Sequence, residues 1–134
     1  MHETVQRLKN VTSLAQWVPF NEGWGQFDSI EITKQLRTLD NTRTIDSVSG
    51  WADQGKNSSD LKSLHIYFRP IVLPKREKRC IVISEFGGYS NPTEGHMFNP
   101  DKLFGYKMFK TKEGLFEAYK KLYETLLSQG VPVY

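Results

Sequence analysis

Two glutamates sit in matching surroundings. Glu22 closes the apolar run of "PFNEGWG" and Glu85 closes that of "VISEFGG", and each opens onto glycines. A carboxylate at the end of a buried run costs free energy unless it is hydrogen-bonded or used. A pair of facing carboxylates is what glycoside hydrolysis needs. One carboxyl protonates the leaving oxygen, and the other attacks the anomeric carbon or activates water. The adjacent glycines let a sugar ring approach the backbone, and Trp24 and Trp51 are candidate stacking platforms for it. Each residue also has a plainer reading. A strand-end glutamate can cap a helix or pair with an arginine, tryptophans fill cores, and His65 and Tyr67 of "LHIY" can be structural. The joint context of Glu22 and Glu85 favours chemistry.

Chemistry at strand ends requires strands to carry it. "LAQWVPF" (Leu14–Phe20), "TRTIDSV" (Thr42–Val48), "LHIYF" (Leu64–Phe68) and "RCIVISEF" (Arg79–Phe86) read as four buried strands, and "VPVY" at the C-terminus reads as the opening of a fifth. Residues 2–10 read as a short helix. Asp28 is placed to cap "SIEITKQLRTL", in which Ile32, Leu36 and Leu39 recur at helical spacing. "KEGLFEAYKKLYETLLSQG" carries an amphipathic stripe through Leu115, Tyr119, Leu122 and Leu126, with Gly130 at its C-terminal end. The segment "GGYSNPTEGHMFNPDKLFGYKMF" reads as a long functional loop. Near-continuous apolar strands separated by helices predict a parallel α/β sheet with its chemistry beyond the carboxyl ends of the strands.

The bulk properties narrow the field. The 134 residues suffice for one domain. Hydrophobic content of 38% and charged content of 25% fit a globular chain rather than a disordered one. A net charge of +3 is too small, and the clusters "PKREKR" and "KMFKTK" too mixed, to favour nucleic acid as a partner. No apolar run reaches membrane-spanning length, so no membrane partner is expected. Cys80 is alone, which suits a reducing compartment. With no signal-like N-terminus, the expectation is cytoplasmic. The spacing of His, Cys and Asp suggests no metal site and no cofactor.

"WVPFNEGWGQFD", "TRTIDSVSGW", "LHIY" and "SEFGGYSNPTEGH", in this order, resemble the catalytic barrel of glycoside hydrolase family 2, the family of β-galactosidase, β-glucuronidase and β-mannosidase. The resemblance covers essentially the whole chain. It implies an α/β fold, a partial (β/α)8 barrel of about strands 4 to 8 forming a single domain over residues 1–134, and retaining hydrolysis of a β-glycoside. It also implies roles: Glu22 as acid/base, Asn21 beside it on the sugar 2-hydroxyl, Glu85 as nucleophile and Tyr67 orienting it. His65, Trp51, Trp24 and His96 would line the substrate, and Tyr89 lies in the same stretch. The chain departs from the family in "KNVTS", where Asn-His-Pro-Ser is frequent, and in "FRP", where Pro-Gly-Pro is frequent. Strands 1 to 3 have no counterpart. Open barrel edges would then favour a homo-oligomer, and catalysis by the chain alone would be weak. The competing readings are a carbohydrate-binding or assembly fragment without catalysis and, further off, a nucleic-acid-binding module.

Overall fold

The computed structural model describes residues 1–130. The elements run α1 (His2–Leu8), β1 (Gln16–Trp17), α2 (Ser29–Leu39), β2 (Thr44–Ile45), β3 (Leu61–Ile66), β4 (Cys80–Phe86), β5 (Tyr89–Ser90), β6 (Lys107–Met108) and α3 (Lys112–Ser128). The "VPVY" strand expected at the C-terminus lies outside the described residues. Among the described residues no helix is long and apolar enough to cross a membrane.

The partial barrel expected from the sequence is not what forms. Among the described residues the strands make three separate two-stranded sheets, β1–β2, β3–β4 and β5–β6, and no continuous curved sheet. The result is a small mixed α/β fold with few elements. The apolar runs read as long core strands explain the difference. In "LAQWVPF" only Gln16–Trp17 pairs, because Pro19 lacks the N–H that a ladder requires. In "TRTIDSV" only Thr44–Ile45 pairs. β4 keeps the expected length, but Ile81, Val82 and Ile83 stay partly exposed rather than covered on both faces.

The chain divides into two compact units. The first comprises Met1–His65 and Lys75–Glu85. Its core gathers Val5 of α1, Trp17 of β1, Leu36 of α2 and Ile45 of β2, with Leu14 and Leu39 packed against them. Each such side chain contributes about 1.5–3 kcal/mol by leaving water. β1 and β2 run parallel, with Trp17 opposite Ile45. α2 begins after Asp28 as expected, but Asp28 lies in the left-handed region (φ 40°) and its side chain makes no capping bond. Arg79 grips Asp53 at 2.8 Å and Glu77 at 3.0 Å, and donates to the Leu61 carbonyl at 3.2 Å, which ties the start of β4 to β3.

Trp17 donates its indole N–H to Asp40 Oδ2 at 2.9 Å, and the hydroxyl of Thr42 donates to Asp40 Oδ1. These bonds, that of Thr42 foremost, hold the Asp40 carboxyl down at about 2. A depressed carboxyl contributes stability above its unfolded value near 4, and that contribution is lost as pH falls toward 2. Asp40→Asn is therefore expected to lower the melting temperature at neutral pH and to flatten its fall between about pH 4 and pH 2. Thermal melts across that range, wild type against variant, would show it. An unchanged acid limb would remove Asp40 from the account.

The second unit takes Ile66–Pro74 and, of the described residues, 86–130. The long loop contains order of its own: Tyr89–Ser90 pairs in parallel with Lys107–Met108. Thr111 caps α3 by accepting from Gly114 N at 3.1 Å. Gln129 joins the 71–73 strap to α3, donating to the Ile71 carbonyl and accepting from Leu73 N. Tyr106 lies across Gly88, whose added Cβ would sit 2.2 Å from the tyrosine ring. Only glycine fits there.

Candidate active site

The first unit carries a compact group of polar side chains. β3 delivers His65, with a fully buried side chain, and β4 delivers Glu85. Glu22 arrives from the turn after β1, where the backbone of Asn21 bridges Ser49 and Glu22 N donates to the Ser49 carbonyl at 2.8 Å. His65 Nδ1 lies 2.8 Å from Glu22 Oε1 and 3.4 Å from Glu85 Oε2. One atom from each of the three side chains falls within a span of 4.8 Å. The two carboxylates thus meet at a single ring nitrogen.

Local backbone geometry supports this convergence. Glu22 (φ 54°) and Ala52 (φ 55°) both occupy the left-handed region, which non-glycine residues enter at a cost of about 1–3 kcal/mol. Strain of this kind collects at functional sites. Gly50 (φ 80°) lies against the imidazole: a Cβ there would fall 2.4 Å from His65 Nδ1. The ring can reach the carboxylates only because residue 50 has no side chain.

Behind the ring is a hydroxyl cluster. Ser49 Oγ lies 3.1 Å from each of His65 Nε2, Ser63 Oγ and Ser84 Oγ, and Ser63 and Ser84 also bond to each other. Asp46 is buried beneath, and burial pushes its carboxyl up. The Ser63 and Ser49 hydroxyls oppose that shift, although neither makes a well-aligned bond to the carboxylate.

Trp51 is half exposed, and its ring meets that of His65 edge-on at 6.5 Å. Trp24, in the turn after Glu22, is 79% exposed. Asn21 is exposed beside Glu22. Tyr67, Tyr89 and His96 belong to the second unit. Within it Tyr67 stacks on Tyr106 at 4.2 Å and lines a cavity of about 480 Å³ with Arg69, Lys107 and Lys121. Tyr89 packs on Phe109 and Tyr119, and His96 is exposed.

The sequence pointed to Glu22 and Glu85 as a facing pair and to His65 as a separate candidate. Gly50, Ser49, Ser63 and Ser84 were not among them. The only signal for Gly50 was its place after Ser49 at the end of an apolar run, which reads as an ordinary strand stop. Glu22, His65 and Glu85 are close enough to share a cation, but the 2.8 Å contact between Nδ1 and Glu22 has the geometry of a hydrogen bond. No family model matches this chain, and no curated protein matches it either.

Proposed function

We propose that this protein is a retaining β-glycoside hydrolase of the family 2 type, with Glu22 as acid/base and Glu85 as nucleophile. The supporting observation is the convergence of Glu22 and Glu85 on His65 Nδ1, with carboxylate oxygens within 4.8 Å of each other. Retaining enzymes place their carboxyl groups about 5–5.5 Å apart, and inverting enzymes about 6.5–9.5 Å, to admit a water. The nearest oxygens of the two carboxylates, within 4.8 Å of each other, are compatible with the covalent route.

In that route a Glu85 oxygen attacks the anomeric carbon as the glycosidic C–O bond breaks. Glu22 gives its proton to the departing oxygen. In the second half Glu22 takes a proton from water, and the resulting hydroxide displaces Glu85 from the sugar. Exposed Trp24 and half-exposed Trp51 offer apolar faces to the ring. A cytoplasmic setting goes with this reading, since the exposed thiol of Cys80 is free.

Activated 2-deoxy-2-fluoro-β-glycosides test the proposal, because they stall at the glycosyl-enzyme. Intact mass is expected to rise by one fluorosugar, with the label on the peptide that contains Glu85. A panel covering galactose, glucuronate and mannose would also report the sugar. If the folded protein takes no label from any of them, the alternative of a carbohydrate-binding fragment without catalysis gains, since it needs only the two tryptophans.

A further inference from the structure

The second unit holds a cavity of about 480 Å³ that takes no part in the chemistry proposed above. Three cations line it, Arg69, Lys107 and Lys121, and no carboxylate does. Among the described residues none of the three enters an ion pair. Glu117 and Glu124 lie one turn to either side of Lys121 on α3, and neither lines the cavity. The wall thus carries three positive groups with nothing of opposite sign among them. Gathering like charges costs free energy, and an anion seated among them would offset that cost.

The fold holds these groups in place. Arg69 stands two residues before Ile71, which is buried and whose carbonyl accepts from Gln129 Nε2 at 2.7 Å. That bond ties the segment carrying Arg69 to the end of the helix carrying Lys121. Lys107 lies on β6, paired with β5. Its ammonium sits 5.7 Å from the centroid of the Tyr89 ring and 5.2 Å from that of Phe109. Cation–π contacts steady the charge without neutralising it. Aromatic surface adjoins the cations. Tyr67 stacks on Tyr106 at 4.2 Å, and Phe68, 76% exposed, meets Tyr106 edge-on at 5.2 Å.

This combination selects a class of ligand. A single carboxylate would leave most of the wall charge unmet. A phosphate monoester carries about −1.5 to −2 at neutral pH and offers three acceptor oxygens. Arginine grips such a group as a fork and lysine as a point charge. A flat ring on the same molecule would lie against Phe68 and Tyr106. The volume falls within the roughly 300–1,000 Å³ of small-molecule sites. We propose that the cavity formed by the 67–71 segment, β6 and α3 is a binding site for a small phosphate monoester bearing a flat ring, with Arg69, Lys107 and Lys121 on the phosphate and Phe68 and Tyr106 on the ring. It does not rest on the hydrolase reading.

The experiment is isothermal titration calorimetry on the whole chain, with phenyl phosphate, glucose 6-phosphate and inorganic phosphate as probes. One ring phosphate is expected to bind at least about tenfold more tightly than inorganic phosphate, and to weaken as salt is added. Phenyl phosphate leads if the ring is aromatic, and glucose 6-phosphate if it is a sugar. Lys107→Ala and Lys121→Ala are each expected to weaken binding about tenfold, since each removes a charged donor. Lys110→Ala, exposed and outside the cavity, leaves binding unchanged. Without ligand, Lys121→Ala is expected to keep or raise the melting temperature, because it relieves the like-charge cluster; a merely structural lysine would lower it. If Lys121→Ala fails to fold, Arg69→Ala takes its place in the binding test. Failure of all three probes to bind overturns the proposal. So does unchanged affinity in the folded Lys107→Ala and Lys121→Ala variants. Inorganic phosphate binding as tightly as both ring phosphates overturns it too, leaving a patch that attracts any anion.

Discussion

Replacing Glu85 with alanine is expected to abolish turnover of every β-glycoside, while replacing Glu22 with alanine leaves a residual rate that depends on the leaving group. The asymmetry follows from the two half-reactions. Without Glu85 no atom is placed to attack the anomeric carbon, and losing a covalent nucleophile costs on the order of 10⁶ in kcat. Without Glu22 the nucleophile remains. A dinitrophenolate leaves without a proton, so the first half proceeds, and the loss falls on the second, where water goes unactivated. General acid–base assistance amounts to about 10²–10⁴-fold. Azide then separates the two variants. In Glu22→Ala it needs no base, attacks the glycosyl-enzyme and gives the β-glycosyl azide with the rate restored. In Glu85→Ala it enters the vacated space and attacks the substrate directly, giving the α-azide. Identical azide stereochemistry from both variants would reverse or dissolve the assignment of Glu22 and Glu85.

The two glutamates were legible as a pair because each ends an apolar run beside glycines, a local pattern, and the structure brings both to one ring nitrogen. The helices were legible for the same reason. α2 begins after Asp28 as its apolar spacing requires, and α3 begins after a threonine cap and carries its expected stripe. β4 was legible from its β-branched run. The barrel was not: local apolarity marks a strand but says nothing of how many residues will pair. The structure stops β1 at two residues, and β5–β6 formed inside a stretch that reads as pure loop. Least visible was the setting of His65. Its carboxylate and hydroxyl partners come from the turn after β1, the end of "TRTIDSVS", its own strand and β4. A lone histidine in an apolar strand carries no mark of such company. Serines are common enough that Ser49, Ser63 and Ser84 drew no notice.

Gly50 gives the other large effect, through packing rather than chemistry. An alanine Cβ would fall 2.4 Å from His65 Nδ1, 2.5 Å from Cγ and 2.7 Å from Cε1, so the whole near edge of the ring blocks it. The ring is buried and held by Ser49 on its far side, so it cannot tilt away without breaking that bond. The backbone adds its own penalty at φ 80°. Overpacking costs about 1–3 kcal/mol and a left-handed alanine about 1–2 kcal/mol more. For a chain of this size that corresponds to a melting temperature lower by roughly 10 °C. Labelling of Glu85 by the fluorosugar should be lost as well, because displacing His65 removes the atom on which both carboxylates converge. A double-mutant cycle isolates the collision. With His65→Ala in the background the obstruction is gone, so Gly50→Ala should then cost only its backbone term, with a coupling of about 1–3 kcal/mol between the two sites. Additive costs would mean that glycine is needed at position 50 for its dihedral angles alone, and that the ring does not depend on the space that glycine leaves.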